Sequence, residues 1–144
     1  MPLSIRLKPG ERLIVNGAVL RNGSPRAIEV ELLNHVTTLH ERDLMLPEEA
    51  KTPLHRLYYT VQMMHLEPEA HDVHRPMAVD LAARIFAAEM QAGKTQTCEM
   101  ISDIITLIGE RQYPTALRRM QKIIGKPGDV RSTASAPAPQ DAAV

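Results

Sequence analysis

The stretch that decides the fold runs from Leu3 to Leu33, LSIRLKPGERLIVNGAVLRNGSPRAIEVELL. Leu3, Ile5 and Leu7 alternate with Ser4, Arg6 and Lys8, the period of two that gives a strand one apolar and one polar face. Pro9-Gly10 follows as a turn and predicts a hairpin. A second apolar run, Leu13-Ile14-Val15, meets Asn16-Gly17, a pair that tolerates the positive φ angles of a tight hairpin, and Ala18-Val19-Leu20 returns. Another reversal falls at Asn22-Gly23-Ser24-Pro25. Beyond it Glu29 and Glu31 share one face while Ile28, Val30 and Leu32 share the other. Four short strands so arranged predict a small antiparallel β-sheet or partial barrel, and the β-branched run Val36-Thr37-Thr38-Leu39-His40 suits a fifth.

Beyond Leu46 the apolar spacing becomes helical. Pro47-Glu48-Glu49 reads as a first turn, and Thr52-Pro53 as an N-cap followed by the proline favoured at the first helical position. A helix from Pro53 to about His65 places Leu54, Leu57, Tyr58, Val61 and Met64 on one side. A second opens at Pro76, where Leu81, Ala82, Ile85, Phe86 and Ala88 supply a broad apolar surface ending at Gly93. A third, capped by Thr95 or Thr97, repeats Ile101, Ile104, Ile105 and Ile108 at helical spacing until Gly109. A fourth spans Pro114 to Ile124 and buries Leu117, Met120 and Ile124. The expected architecture is α+β: a β-rich N-terminal region over residues 1–46, a bundle of about four helices over 47–126, and a disordered tail over 127–144. The bundle packs against the sheet and offers alanine-rich and methionine-rich surface (Met63, Met64, Met77, Met90) for a partner or a homo-oligomer.

Composition narrows the function classes. The 144 residues carry 17 Lys+Arg against 17 Asp+Glu, so no global field draws the chain to nucleic acid or an anionic membrane. Aromatics are 3% with no Trp, which disfavours recognition built on stacked rings. A single cysteine, Cys98, excludes an internal disulfide and cysteine-rich zinc modules and fits a reducing, cytoplasmic setting. Arg6, Lys8 and Pro9 interrupt any secretory leader, and no run has the length of a membrane span.

Locally the charge is uneven. Residues 1–26 hold five basic side chains against Glu11 alone, residues 27–51 hold six acids against Arg42 and Lys51, and residues 111–126 hold five basic side chains and no acid. On the last helix Arg118 and Lys122 fall near one angular position with Arg119 beside it, and Arg6 and Lys8 share a strand face near Arg12. These six are the candidate phosphate-contacting, nucleic-acid-binding residues, since cations that neutralise phosphates gain affinity by releasing counterions. The same pattern also suits an ordinary solvent face with cations near a helix C-terminus.

Catalytic constellations are absent from the pattern. His71-x-x-His74 with Asp72 has metal-ligand chemistry but sits in a polar turn without a second pair, so no metal or other cofactor is expected. Cys98 lies among apolar helical neighbours and reads as a small buried side chain. Gly93-Lys94-Thr95 lacks the earlier glycine and the preceding strand of a phosphate loop. Tyr58 and Tyr59 point about 100° apart on a helix, so Tyr58 joins the core and Tyr59 either faces a ligand or packs on the sheet.

At LKPGERLIVNGAVLRNG (Leu7–Gly23), HERDLM (His40–Met45) and EEAKTPLHRLYYTVQ (Glu48–Gln62), in that order and spacing, the chain resembles the FlbT family of flagellar biosynthesis regulators. The likeness covers roughly residues 2–124 and leaves out the tail. It implies a post-transcriptional regulator that associates with the 5′ untranslated region of flagellin mRNA, promotes its decay and is linked to the small flagellar protein FlaF. It supplies no residue-level binding motif. The segment KPGERLIVNG is also loosely similar to the first turn and strand of the carbon-storage regulator. The rival expectation is a protein-interaction module whose helices grip flagellin or FlaF. A metal-dependent nuclease lacks the clustered ligands it needs.

Overall fold

The computed structural model describes residues 3–134. Its elements run β1 (Leu3–Leu7), β2 (Arg12–Val15), β3 (Ala18–Arg21), β4 (Ile28–Leu32) and β5 (Thr38–His40), then α1 (Pro53–Leu66), α2 (His71–Gln91), α3 (Thr95–Gly109), α4 (Tyr113–Ile124) and α5 (Pro127–Ala134). The chain is α+β, with antiparallel strands first and helices after, as its periodicities dictate.

Asn16 and Gly17 adopt φ of 48° and 86°, as a two-residue hairpin requires, and β2 pairs with β3 from Arg12 opposite Arg21 to Val15 opposite Ala18. β5 occupies the other edge of β2, giving the order β3-β2-β5. The hairpin expected at Pro9-Gly10 does not form. β1 pairs with β4 instead, Leu3 opposite Leu32 and Leu7 opposite Ile28, so the strands divide into a two-stranded and a three-stranded sheet. Asn22 accounts for this. Its buried side-chain amide donates to the Leu7 carbonyl at 3.0 Å and the Arg26 carbonyl at 2.8 Å, and its oxygen accepts from the Ser24 N–H at 2.9 Å. One side chain thus ties the end of β1 to the approach to β4 and satisfies backbone groups that a hairpin would have paired.

The main core lies among the helices. Leu57, Tyr58, Val61 and Met64 of α1 meet Ala78, Leu81, Ala82 and Ile85 of α2. Ile101, Ile104 and Ile108 of α3 and Ala116, Leu117 and Met120 of α4 complete it, with Leu39 and Met45 reaching in from the β region. Each Leu, Ile, Val or Met side chain so buried stabilises the fold by about 1.5–3 kcal/mol. Leu54 and Tyr59 are only half-buried at its edge. Tyr59 packs on this core and does not stand free for a ligand. Gln62 of α1 is buried beside Met45, accepting from its N–H at 2.7 Å and donating to its carbonyl at 2.9 Å. That pair of bonds fixes the segment after β5 onto the bundle.

Two helices differ from expectation. α2 begins at His71, so Pro76 lies inside the helix and does not open it. Pro76 lacks the N–H that would reach the Asp72 carbonyl, but both residues are exposed, so that carbonyl is open to solvent. The disordered tail expected from residue 127 is corrected over Pro127–Ala134, which form α5. Gly125, at φ 79°, turns the chain back, and Gly128 packs so closely that a Cβ would stand 2.4 Å from the Arg42 Cα. Arg131 then donates to the Leu44 carbonyl at 2.9 and 3.2 Å and pairs with Glu49 at 3.5 Å. These anchors are glycine and polar contacts, which an apolar count does not register. The remainder of the expected tail lies outside the described residues.

Candidate functional site

The β region and the bundle leave a cleft of about 820 Å³ between them. One wall is built by α4 and its flanks: Arg111, Pro114, Leu117, Arg118, Gln121 and Lys126. The facing side carries the apolar Leu3 and Ile5 of β1, Val36 and Leu39 among the polar His35, Thr37 and Thr38. Buried His40 and Tyr113, together with His65, form its inner surface.

Hydrogen bonds hold this frame. His40 Nδ1 accepts from the Arg42 N–H at 3.1 Å, so its Nε2 is the donor to the Arg6 carbonyl at 3.2 Å, linking β1 to β5. His65 Nε2 donates to the Thr38 carbonyl at 2.7 Å and joins β5 to α1. Tyr58 donates to the Asp43 carbonyl at 2.6 Å and accepts from Gln121 at 2.8 Å, and the same Gln121 amide donates to the Asp43 carboxylate at 3.1 Å. Burial raises the Tyr58 pKa, which keeps its hydroxyl a donor. At the α2 end, buried His71 is hydrogen-bonded to the Tyr113 hydroxyl. Burial lowers the His71 pKa, with Arg111 and Arg75 adding to the effect and Asp72 opposing it.

The charge of the cleft is one-sided. Arg42, Arg111, Arg118 and Lys126 line it against a single carboxylate, Asp43. None of the four cations forms an ion pair among the described residues. Arg118 reaches only the Thr115 hydroxyl at 3.3 Å, and Arg111 only the Pro68 carbonyl at 3.5 Å and the Tyr113 hydroxyl. The arrangement presents fixed positive charge opposite an apolar surface, suiting a ligand with phosphates on one side and bases or apolar groups on the other.

The six candidates read from the sequence fall in different places. Arg118 lines the cleft, and exposed Lys122, one turn further along α4, continues its line. Arg119 turns away and is paired with Asp103 of α3 at 2.8 Å. Arg12 is held by Glu41 through contacts at 3.2 and 3.3 Å, and its own N–H donates to the same carboxylate at 2.8 Å. Burial pushes the Glu41 pKa up, but these bonds and the charge of Arg12 outweigh it and leave the group below its ordinary range. Arg6 is exposed across from Glu29, on the strand face opposite Leu3 and Ile5, and so points away from the cleft. Lys8 is exposed beyond the end of β1. The set therefore does not form one surface. Arg42, Arg111 and Lys126 escape the sequence pattern, although Arg111 and Lys126 belong to the acid-free segment 111–126.

The remaining candidates have structural partners. Cys98 is buried, and its thiol donates to the Phe86 carbonyl at 3.6 Å. His71 and His74 lie in the first turns of α2 and not in a polar turn, with His74 standing 3.7 Å from Glu67. No three His, Cys, Asp or Glu side chains among the described residues converge as metal ligands.

Fold and site together define a small α+β protein with a cationic, half-apolar cleft, and no helix among the described residues is long and apolar enough to cross a membrane. The family model described as "Flagellar protein FlbT" matches residues 3–126. The chain is 34% identical over 128 residues to a probable flagellum biosynthesis repressor protein FlbT of Caulobacter sp. (strain K31), covering 86% of this chain and 92% of that one. It is 41% identical over 83 residues to the protein of the same name from Chelativorans sp. (strain BNC1), covering 58% of this chain and 56% of the relative. A flagellum biosynthesis repressor protein FlbT of Caulobacter vibrioides (strain ATCC 19089 / CIP 103742 / CB 15) is 45% identical over 67 residues, 46% of this chain and 47% of its own. The chain belongs to the FlbT family. No solved structure matches it.

Proposed function

We propose that this protein regulates flagellum biosynthesis by holding an unpaired segment of the flagellin mRNA 5′ untranslated region in the cleft between β1, β5 and α4. The observation that carries this reading is the set of four cations, Arg42, Arg111, Arg118 and Lys126, without ion pairs among the described residues, in one cleft with the apolar Leu3, Ile5 and Val36. Phosphates on the cationic side gain from counterion release, while bases lie against Leu3, Ile5 and Val36 or stack on guanidinium planes. A cleft of about 820 Å³ suits unpaired nucleotides. The protein acts by occupancy and not by hydrolysis: a leader held here is withheld from ribosomes and left to ribonucleases, which lowers flagellin synthesis in the cytoplasm. The relatives' printed name, flagellum biosynthesis repressor, supports the regulatory part of the reading.

The apolar wall favours one second reading, in which the cleft takes an acidic, amphipathic segment of flagellin or FlaF. Fluorescence anisotropy of the full chain separates the two. Labelled flagellin leader RNA should bind, with loss of binding in Arg111→Glu/Arg118→Glu. Binding of flagellin or FlaF with no binding of the leader overturns the RNA reading.

A further inference from the structure

α2 is the longest described helix, and its outer face is exposed, with no partner among the described residues. Val73, Met77 and Met90 are 76%, 56% and 51% exposed, among the largest apolar exposures in the molecule. Between them the face carries exposed Ala83 and Ala87 and one ion pair, Asp80 with Arg84 at 3.1 Å. No residue of α2 lines the cleft.

We propose that this face binds a second copy of the chain, α2 against α2, antiparallel about a twofold axis beside Asp80 and Arg84. Self-complementarity in charge and size carries the proposal. An antiparallel twofold that sets Asp80 opposite Arg84 of the other copy also sets Arg84 opposite its Asp80, so the exposed pair becomes two reciprocal ion pairs. The same register brings Met77 against Ala87 and Pro76 against Ala88, a large side chain against a small one each time, as interdigitating helices require. A parallel pairing would set like charges together. Val73 and Met77 lose their exposure to water, and the two helix dipoles oppose each other favourably. A single helix pair covers less than the roughly 800 Å² per partner of a standard interface, so the dimer is held with a micromolar Kd. Both clefts stay open in the pair.

Sedimentation of the full chain over roughly 1–300 μM tests this, with a mass rising toward twice 16.0 kDa expected. Arg84→Glu alone and Asp80→Arg alone each place like charges across the axis and should raise Kd about tenfold or more. An equimolar mixture of the two variants restores complementarity and should dimerise within about threefold of the parent, because each copy now meets its opposite. All these positions are exposed, so folding is not at stake. As a direct check of register, Met77→Cys/Ala87→Cys in a Cys98→Ser background should oxidise to a covalent dimer. A monomer throughout the range, a dimer indifferent to both charge reversals, or a mixture no tighter than either variant alone overturns the proposal.

Discussion

The proposed capture of RNA by the cleft predicts a salt dependence that can be worked out in advance. Four cations line the cleft, none of them ion-paired among the described residues and with Asp43 its one carboxylate, and each phosphate neutralised on a single strand contributes about −0.7 to the slope of log K against log salt. The parent should therefore show a slope near −2.8 and lose about 50-fold in affinity between 50 and 200 mM salt. Arg118→Gln/Lys126→Gln removes two of the four, so the slope should fall to about −1.4 and the loss to about sevenfold. Arg12→Gln/Arg119→Gln is the control of equal charge change. Those guanidiniums are already neutralised by Glu41 and Asp103, so the slope should stay at the parent value. Anisotropy titration of labelled leader RNA at four salt concentrations reads all three slopes, with circular dichroism confirming that each variant is folded. The reasoning fails if the cleft variant keeps the parent slope, or if the ion-paired control flattens it equally.

Three further outcomes concern the frame that holds the cleft. Gln62→Leu leaves the buried N–H and carbonyl of Met45 without partners and should cost about 2–5 kcal/mol in urea unfolding; a change under about 0.5 kcal/mol refutes the role given to that pair. Gly128→Ala drives a Cβ into the Arg42 backbone and should lower stability by about 1–3 kcal/mol and open α5 to limited proteolysis, and unaltered cleavage there counts against the packing described. Because burial lowers the His71 pKa, the unfolded chain binds more protons there once pH drops below the ordinary histidine value of about 6.5. Stability should then fall progressively as pH declines from about 6.5, and His71→Gln should flatten that part of the Tm profile; an identical profile in the variant assigns the loss to other groups.

The sequence carried the local part of this structure well. Asn16-Gly17 marks its hairpin because the backbone there needs positive φ, and the helical repeats of Leu57 to Met64 and Ile101 to Ile108 point inward as their spacing requires. What it did not carry are choices made at long range. β1 could pair with β2 through Pro9-Gly10 or with β4, and the decision rests on Asn22, 15 residues from the carbonyl it binds. The candidate site shows the same limit. A helical wheel places Arg118 and Arg119 side by side, but only packing reveals that one meets Asp103 and the other meets a cleft. Arg42 was hidden because it sits in a short acidic segment with no apolar period, so nothing local marks it as part of a cationic wall.

The helix beyond residue 126 lies outside the region shared with the family, yet its glycine rests on the backbone of Arg42 and its arginine grips Leu44. One end of the recognition wall is therefore clamped by the portion of the described chain that the common pattern does not reach. Changes in that appendix would shift the backbone that carries Arg42, and on the proposed reading the hold on RNA, leaving strands and bundle as they were.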